Sequence, residues 1–232
     1  MEKKVLGIIG GVGPLATMLL GEMIVRRTVA SVDQEHVQMV ITNNTSIPDR
    51  TTYILDRSKK NPVPVMISDG QKLKSIGAEV IAVPCNTAHS FYEEIQKGIG
   101  LPVIHMIQET AKKAKLEGAK KVGILATTGT LTASVYQLAC RDVGIQPIIP
   151  DEETQKLVMS VIYDDVKAGK PVDFSKWQQI IATMTALGCD RIILGCTELS
   201  IVNKELKLDE FYIDSLMVLA DCAIELCGYE TI

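Results

Sequence analysis

The sequence predicts an α/β protein made of two similar, doubly wound halves with parallel sheets. Three observations predict this. Short apolar runs rich in Val and Ile alternate with longer helical patterns along the chain, the rhythm of β-α-β units. The runs are continuous in polarity rather than alternating, which suits strands covered by helices on both faces. The pattern also repeats, with offsets of 116 from Ile9 to Leu125, 111 from Cys85 to Cys196 and 109 from Ile104 to Ile213.

The predicted strands are 5–11 (VLGIIGG), 37–44, 79–85 (EVIAVPC), 102–107, 121–127 (KVGILAT), 145–150, 191–196 (RIILGC) and 210–216. Helical patterns fill 15–31, 66–77, 87–98, 107–117, 131–143, 152–168, 174–188 and 216–228. In the repeat, VLGIIGGVGP matches KVGILATTGT, EVIAVPCNTA matches RIILGCTEL, and PVIHMIQET matches YIDSLMVLA. The expected division is 1–105 with 215–232 as the N-terminal domain and 106–214 as the C-terminal domain, the last helix returning to the first domain. At 232 residues the chain can bury a core without staples.

Composition narrows the function. A net charge of −4 and the lack of a Lys/Arg cluster give no support to nucleic-acid binding. The opening MEKKVLGIIGG lacks a long apolar region, and no run reaches the ~18 apolar residues of a membrane span. A cytoplasmic location is expected. Six cysteines without a CxxC pair make neither a disulfide scaffold nor a structural zinc site. GVGPLA (11–16) formally fits a dinucleotide fingerprint. However, the second strand ends in Asn43 and Asn44 rather than in an acidic residue. The loop reads as a tight turn, with close backbone approach to a small ligand or merely as a strand-to-helix link.

Cys85 and Cys196 each follow a strand and precede a helix, in VPCNTAH and LGCTELS. Ligands of open α/β sheets bind at the carboxyl ends of strands, and free N–H groups at a helix start favour a thiolate. Asn86, Thr87 and Thr197 add amide and hydroxyl groups suited to a carboxylate. Cys140, Cys189, Cys222 and Cys227 read as small buried hydrophobes. Two thiols at matched positions suit inversion of a stereocentre: one removes a proton from one face while the other delivers a proton to the opposite face.

GGVGPLAT (10–17), PDRT (48–51), PCNTAH (84–89), ATTGT (126–130), YDDVKAG (163–169) and GCTEL (195–199) together resemble the aspartate/glutamate racemases, the cofactor-independent amino-acid racemases. The resemblance implies two α/β domains in pseudo-twofold relation with the active site in the cleft between them. It implies no cofactor, no pyridoxal phosphate, no metal and a homodimer. It makes Cys85 and Cys196 the catalytic acid/bases and puts Asn86, Thr87 and Thr197 on the α-carboxylate or amino group. Arg50 and Lys167 would hold the side-chain carboxylate of an acidic amino acid. A carboxylate calls for cationic contacts, and Arg can grip one with two parallel bonds. Without the resemblance, Arg50 reads as a solvated loop residue and Lys167 as a solvated helix end. Thr128 and Thr130, in the second glycine turn, are further substrate-binding candidates. Asp49, His89 and Glu198 stand beside the chemistry and could tune the thiols or shuttle protons; His89 equally reads as a packing residue.

The dedicated glutamate racemases resemble DSGxGG and GCTHYP where this chain has GGVGP and GCTEL. Val12 stands where the family often has Met, which would alter specificity if that side chain borders the substrate. The expected activity is interconversion of L- and D-aspartate, with glutamate as a second candidate. The alternatives are another cofactor-free isomerase of the superfamily (hydantoin or maleate isomerase type) and a non-catalytic amino-acid-binding protein on the same scaffold.

Overall fold

A computed structural model describes residues 2–232. The chain forms two compact units. One holds the chain up to Met106 together with Leu216–Ile232, and the other is Ile107–Ser215.

The first unit begins with β1 (Leu6–Gly10), a wholly buried strand, followed by α1 (Pro14–Arg27), β2 (Met39–Asn43), α2 (Arg50–Leu55), α3 (Val63–Ser75), β3 (Val80–Ala82) and α4 (Tyr92–Ile99). The strands pair in parallel in the order β2-β1-β3, with Leu6 opposite both Met39 and Val80. A single parallel bridge between Ile81 and Val103 adds a fourth position beside β3. The predicted strand 102–107 is reduced to that bridge. Pro102 has no N–H to give to a ladder, and the Met106 N–H is shared between the Ile104 carbonyl and the His89 ring. The chain then turns into α5 (Met106–Leu116).

The second unit continues with β4 (Lys121–Leu125), α6 (Thr128–Thr132), α7 (Val135–Asp142), β5 (Gln146–Ile148) and α8 (Glu152–Ser160). A π-helical turn, Val161–Val166, extends α8. It is followed by α9 (Phe174–Ala186), β6 (Arg191–Leu194), α10 (Thr197–Leu206) and β7 (Tyr212–Asp214). The sheet order is β5-β4-β6-β7, every pair parallel. Pro147 is tolerated because β5 is an edge strand. Both sheets thus share one strand order, and the predicted repeat matches it: β1 corresponds to β4, β3 to β6, and the Val103 bridge to β7.

Two helical predictions need correction. The pattern over 131–143 is two helices broken at Ser134, whose φ is 57°. The pattern over 152–168 is α8 followed by the π turn. Besides these two, the helix α2 forms over 50–55, where no helix was expected. The last helix, α11 (Ser215–Leu226), packs in the first unit. There Asp221 accepts two bonds from the Arg27 guanidinium, and the Cys227 carbonyl accepts the Lys4 N–H.

The glycine turn after β1 makes a close approach, but to its own chain. Gly11 has φ +86°, and a Cβ there would strike the Asn44 backbone. Its N–H donates to Thr17 Oγ1, which in turn donates to the Gly13 carbonyl. Val12 is buried in the apolar cluster that also contains Cys85.

Candidate active site

Each unit carries a cysteine turn at the carboxyl end of the strand beside β1 or β4. In the first unit, β3 ends at Ala82, and Cys85 follows after a tight turn in which its N–H donates to the Val83 carbonyl at 2.8 Å. A 3-10 turn, Thr87–Phe91, leads into α4. Cys85 is 5% exposed, and Asn86 and Thr87 are buried beside it.

His89, also buried, ties this turn down. Its Nδ1 lies 2.9 Å from the Cys85 carbonyl, and its Nε2 lies 3.2 Å from both the Met106 N–H nitrogen and the Ile104 carbonyl. The Cys85 carbonyl can only accept and makes the shorter contact, so in the neutral ring Nδ1 carries the hydrogen and Nε2 accepts from the Met106 N–H, which it shares with the Ile104 carbonyl. Burial, opposed by the Cys85 hydrogen bond, pushes the His89 pKa from 6.5 down to about 4, and His105 adds to the fall. A ring held neutral with both nitrogens engaged is a fixed strut. These contacts to backbone on both ring nitrogens fit the packing reading of His89.

Arg50 opens α2 and is 8% exposed, so the solvated-loop reading is wrong. The Asp49 side chain caps this helix by accepting the Thr52 N–H at 2.7 Å. Arg50 Nη1 donates to the Pro48 carbonyl at 3.3 Å. Tyr53 of α2 packs on Phe91 at 5.7 Å, which seats the helix against the turn after Cys85.

In the second unit β6 ends at Leu194 and Cys196 is the N-cap residue of α10. Its Sγ donates to Glu198 Oε2 at 2.9 Å. Thr197 Oγ1 donates to the same oxygen at 3.4 Å. Lys167 Nζ lies 3.8 Å from Glu198 Oε1 and 4.2 Å above the Tyr163 ring. Burial pushes the Cys196 thiol well above its ordinary range, and the Glu198 charge pushes further. Lys167 opposes, as does the Glu198 backbone N–H at the helix start.

Lys167 reaches Glu198 because of the π turn. Its N–H bonds the Ile162 carbonyl, five residues back, at 3.0 Å, and this extra residue rotates the next side chains onto another helix face. Asp165 holds the turn by accepting Lys176 Nζ at 2.9 Å and the Asp173 N–H at 3.2 Å. Lys167 stays an exposed residue at the helix end, but its ammonium lies back over the Tyr163 ring and towards Glu198. Tyr163 was missed in the sequence, although its i,i+4 spacing to Lys167 was visible.

The turn after β4 is built from threonines. Thr127 caps α6 by accepting the Thr130 N–H at 3.2 Å. The Thr128 N–H meets Met159 Sδ at 3.3 Å, and Thr128 Oγ1 accepts from Gln155 Nε2 at 3.4 Å. Gln155 and Met159 carried no signal in the sequence.

The structure thus gathers Cys85, Asn86, Thr87 and His89 in one cluster, with Asp49 and Arg50 on the adjoining helix. It gathers Cys196, Thr197, Glu198 and Lys167 in another, with Thr128 after the neighbouring strand. Among the described residues no three His, Cys, Asp or Glu side chains are grouped to hold a metal ion. No helix among them is long and apolar enough to cross a membrane.

Comparison with known proteins places these features in a family. The model of the Asp/Glu/Hydantoin racemase family matches residues 9–223. A broad specificity amino-acid racemase of Bacillus subtilis (strain 168) is 30% identical over 227 residues, 94% of this chain and 96% of that one. The solved aspartate racemase of Picrophilus torridus is 32% identical, covers 99% of this chain and 96% of that one, and superposes with a TM-score of 0.83. A glutamate racemase of Shewanella loihica matches over 131 residues only, 28% identical, 56% of this chain and 48% of that one. With the family match spanning nearly the whole chain, and near-full-length relatives beside it, the chain belongs to the Asp/Glu/Hydantoin racemase family.

Proposed function

We propose that the chain interconverts L- and D-aspartate, with glutamate a poorer substrate, by proton transfer between the α-carbon and two cysteines. The observation that carries this reading is the repeated cysteine turn: a buried cysteine past the carboxyl end of β3 and another past that of β6, each opening a helical turn beside threonine. One thiolate takes the α-proton; the C–H bond breaks and its electrons stay on a planar, carbanion-like carbon. The other thiol gives its proton to the opposite face, and the roles exchange for the reverse direction. The N–H groups at the turn after Cys85 and at the start of α10 would support the α-carboxylate as negative charge grows.

Acidic specificity rests on Arg50 and Lys167, the two cations attached to the cysteine clusters. Near-full-length similarity to an aspartate racemase, against half-length similarity to a glutamate racemase, supports aspartate. In the same reading the chain acts as a homodimer. Leu15, Met18 and Val25 leave an exposed apolar stripe along α1 for a second copy to cover, and sedimentation reads the mass.

The test is chiral chromatography after incubation with each enantiomer of a panel of amino acids, without added cofactor. Conversion of aspartate fastest, with loss of that preference in Arg50→Lys, supports the reading. Equal conversion of aliphatic amino acids would instead favour the broad specificity of the Bacillus subtilis relative. Saturable binding without any conversion would favour a non-catalytic binder.

A further inference from the structure

The proton on Cys196 has a holder. Glu198 is 5% exposed, and so deep a carboxylate persists only when its oxygens are satisfied. One oxygen receives the Cys196 thiol at 2.9 Å and the Thr197 hydroxyl at 3.4 Å. The other faces Lys167 Nζ at 3.8 Å. Lys167 is held in turn over Tyr163. The result is a line from thiol to carboxylate to ammonium, buried at one end and 28% exposed at the lysine.

We propose that Glu198 is a positioning residue that keeps the proton on Cys196 in the resting enzyme, with Lys167 as its counter-charge. The resting state then serves the direction in which Cys85 takes the α-proton and Cys196 gives its own; in the opposite direction Cys196 must first lose that proton and Cys85 gain one. The inference rests on reading both cysteines as acid/bases.

Within its unit the charged groups facing Cys196 are Glu198 from α10 and Lys167 after the π turn. Asp165, on the same turn, faces Lys176 of α9. Asp214, at the end of β7, is taken up by Ser200 and Asn203. A negative charge beside the thiol disfavours the thiolate, and the ammonium beyond it partly restores it. Turnover keeps its balance. Cys85 gains the α-proton and Cys196 loses its own to the carbon. The thiolate left beside Glu198 is then reprotonated from water while Cys85 releases its proton.

The test is peptide-resolved alkylation with iodoacetamide at pH 7.5, without substrate, on the whole chain. Glu198→Gln should raise the Cys196 rate at least about threefold, since more thiolate outweighs its lower intrinsic nucleophilicity. Lys167→Met should lower it by a similar factor, and Cys85 in the same sample should hold its rate. Opposite signs at one cysteine are not what loosened packing produces. Rates that move together in the two variants, or a Cys196 rate unmoved by both, would overturn the proposal. Lys167→Met, at a partly exposed position, decides the matter if Glu198→Gln does not fold. A chain without racemase activity would still report the alkylation shift, so failure of the functional reading is seen separately. In an active enzyme, Glu198→Gln should move the kcat/KM profile to lower pH in the one direction where Cys196 is the base.

Discussion

Acid should release the strut under Cys85. His89 is buried and neutral, with its pKa pushed from 6.5 to about 4 by burial. The unfolded chain exposes the ring and binds a proton that the folded chain refuses. Stability from this group is therefore fully present above pH 6.5 and is lost as pH falls towards 4. Each unit of pKa is worth about 1.4 kcal/mol, so the whole effect is about 3 kcal/mol, of which about 2 kcal/mol is gone at pH 5. The assay is urea unfolding at pH 7.5, 6, 5 and 4 for the native chain and for His89→Gln. Gln keeps a donor and an acceptor but does not titrate. Carboxylates such as Asp151 and Asp173, held low by their helix-cap bonds, add an acid loss common to both proteins. The variant should start less stable and lose about 3 kcal/mol less than the native chain between pH 7.5 and 4. Parallel stability curves, or an NMR titration of His89 near 6.5, would refute the reasoning.

Other outcomes rest on particular contacts. Gly11→Ala should cost more than about 2 kcal/mol or prevent folding, because φ is +86° and the new methyl meets the Asn44 backbone. Gly77→Ala, at φ +102° but with open space around it, carries the backbone strain alone and should cost about 1–2 kcal/mol; thermal melts of the two variants check the contrast. Asp165→Ala removes the acceptor of Lys176 and of the Asp173 N–H. It should lower stability by about 1–3 kcal/mol, and by freeing the π turn raise KM for aspartate more than it lowers kcat.

Much of this was legible in the sequence because it arises from simple periodicities. Continuous apolar runs mark buried parallel strands, and both strand-end cysteines fall where those runs stop. The illegible parts depend on contacts distant in sequence or on helix winding. The run 102–107 has strand composition, but Pro102 and the bond from Met106 to His89 leave one bridge of it. The pattern 152–168 is the same for an α-helix and for one with a π turn, so the placement of Lys167 was invisible. PDRT held a readable cap in Asp49, yet nothing local says that six residues of helix would bury Arg50. His89 could not be assigned without seeing that both its nitrogens meet backbone.

The most direct test of the central claim is incubation of each enantiomer of aspartate in heavy water, with no cofactor added, for the native chain and for Cys85→Ala and Cys196→Ala. The native chain should place deuterium on the α-carbon from both enantiomers and bring them to a racemate. Each single variant should lose interconversion. Interconversion retained in either variant, or a native chain that binds aspartate without exchanging its α-hydrogen, would contradict the two-cysteine account.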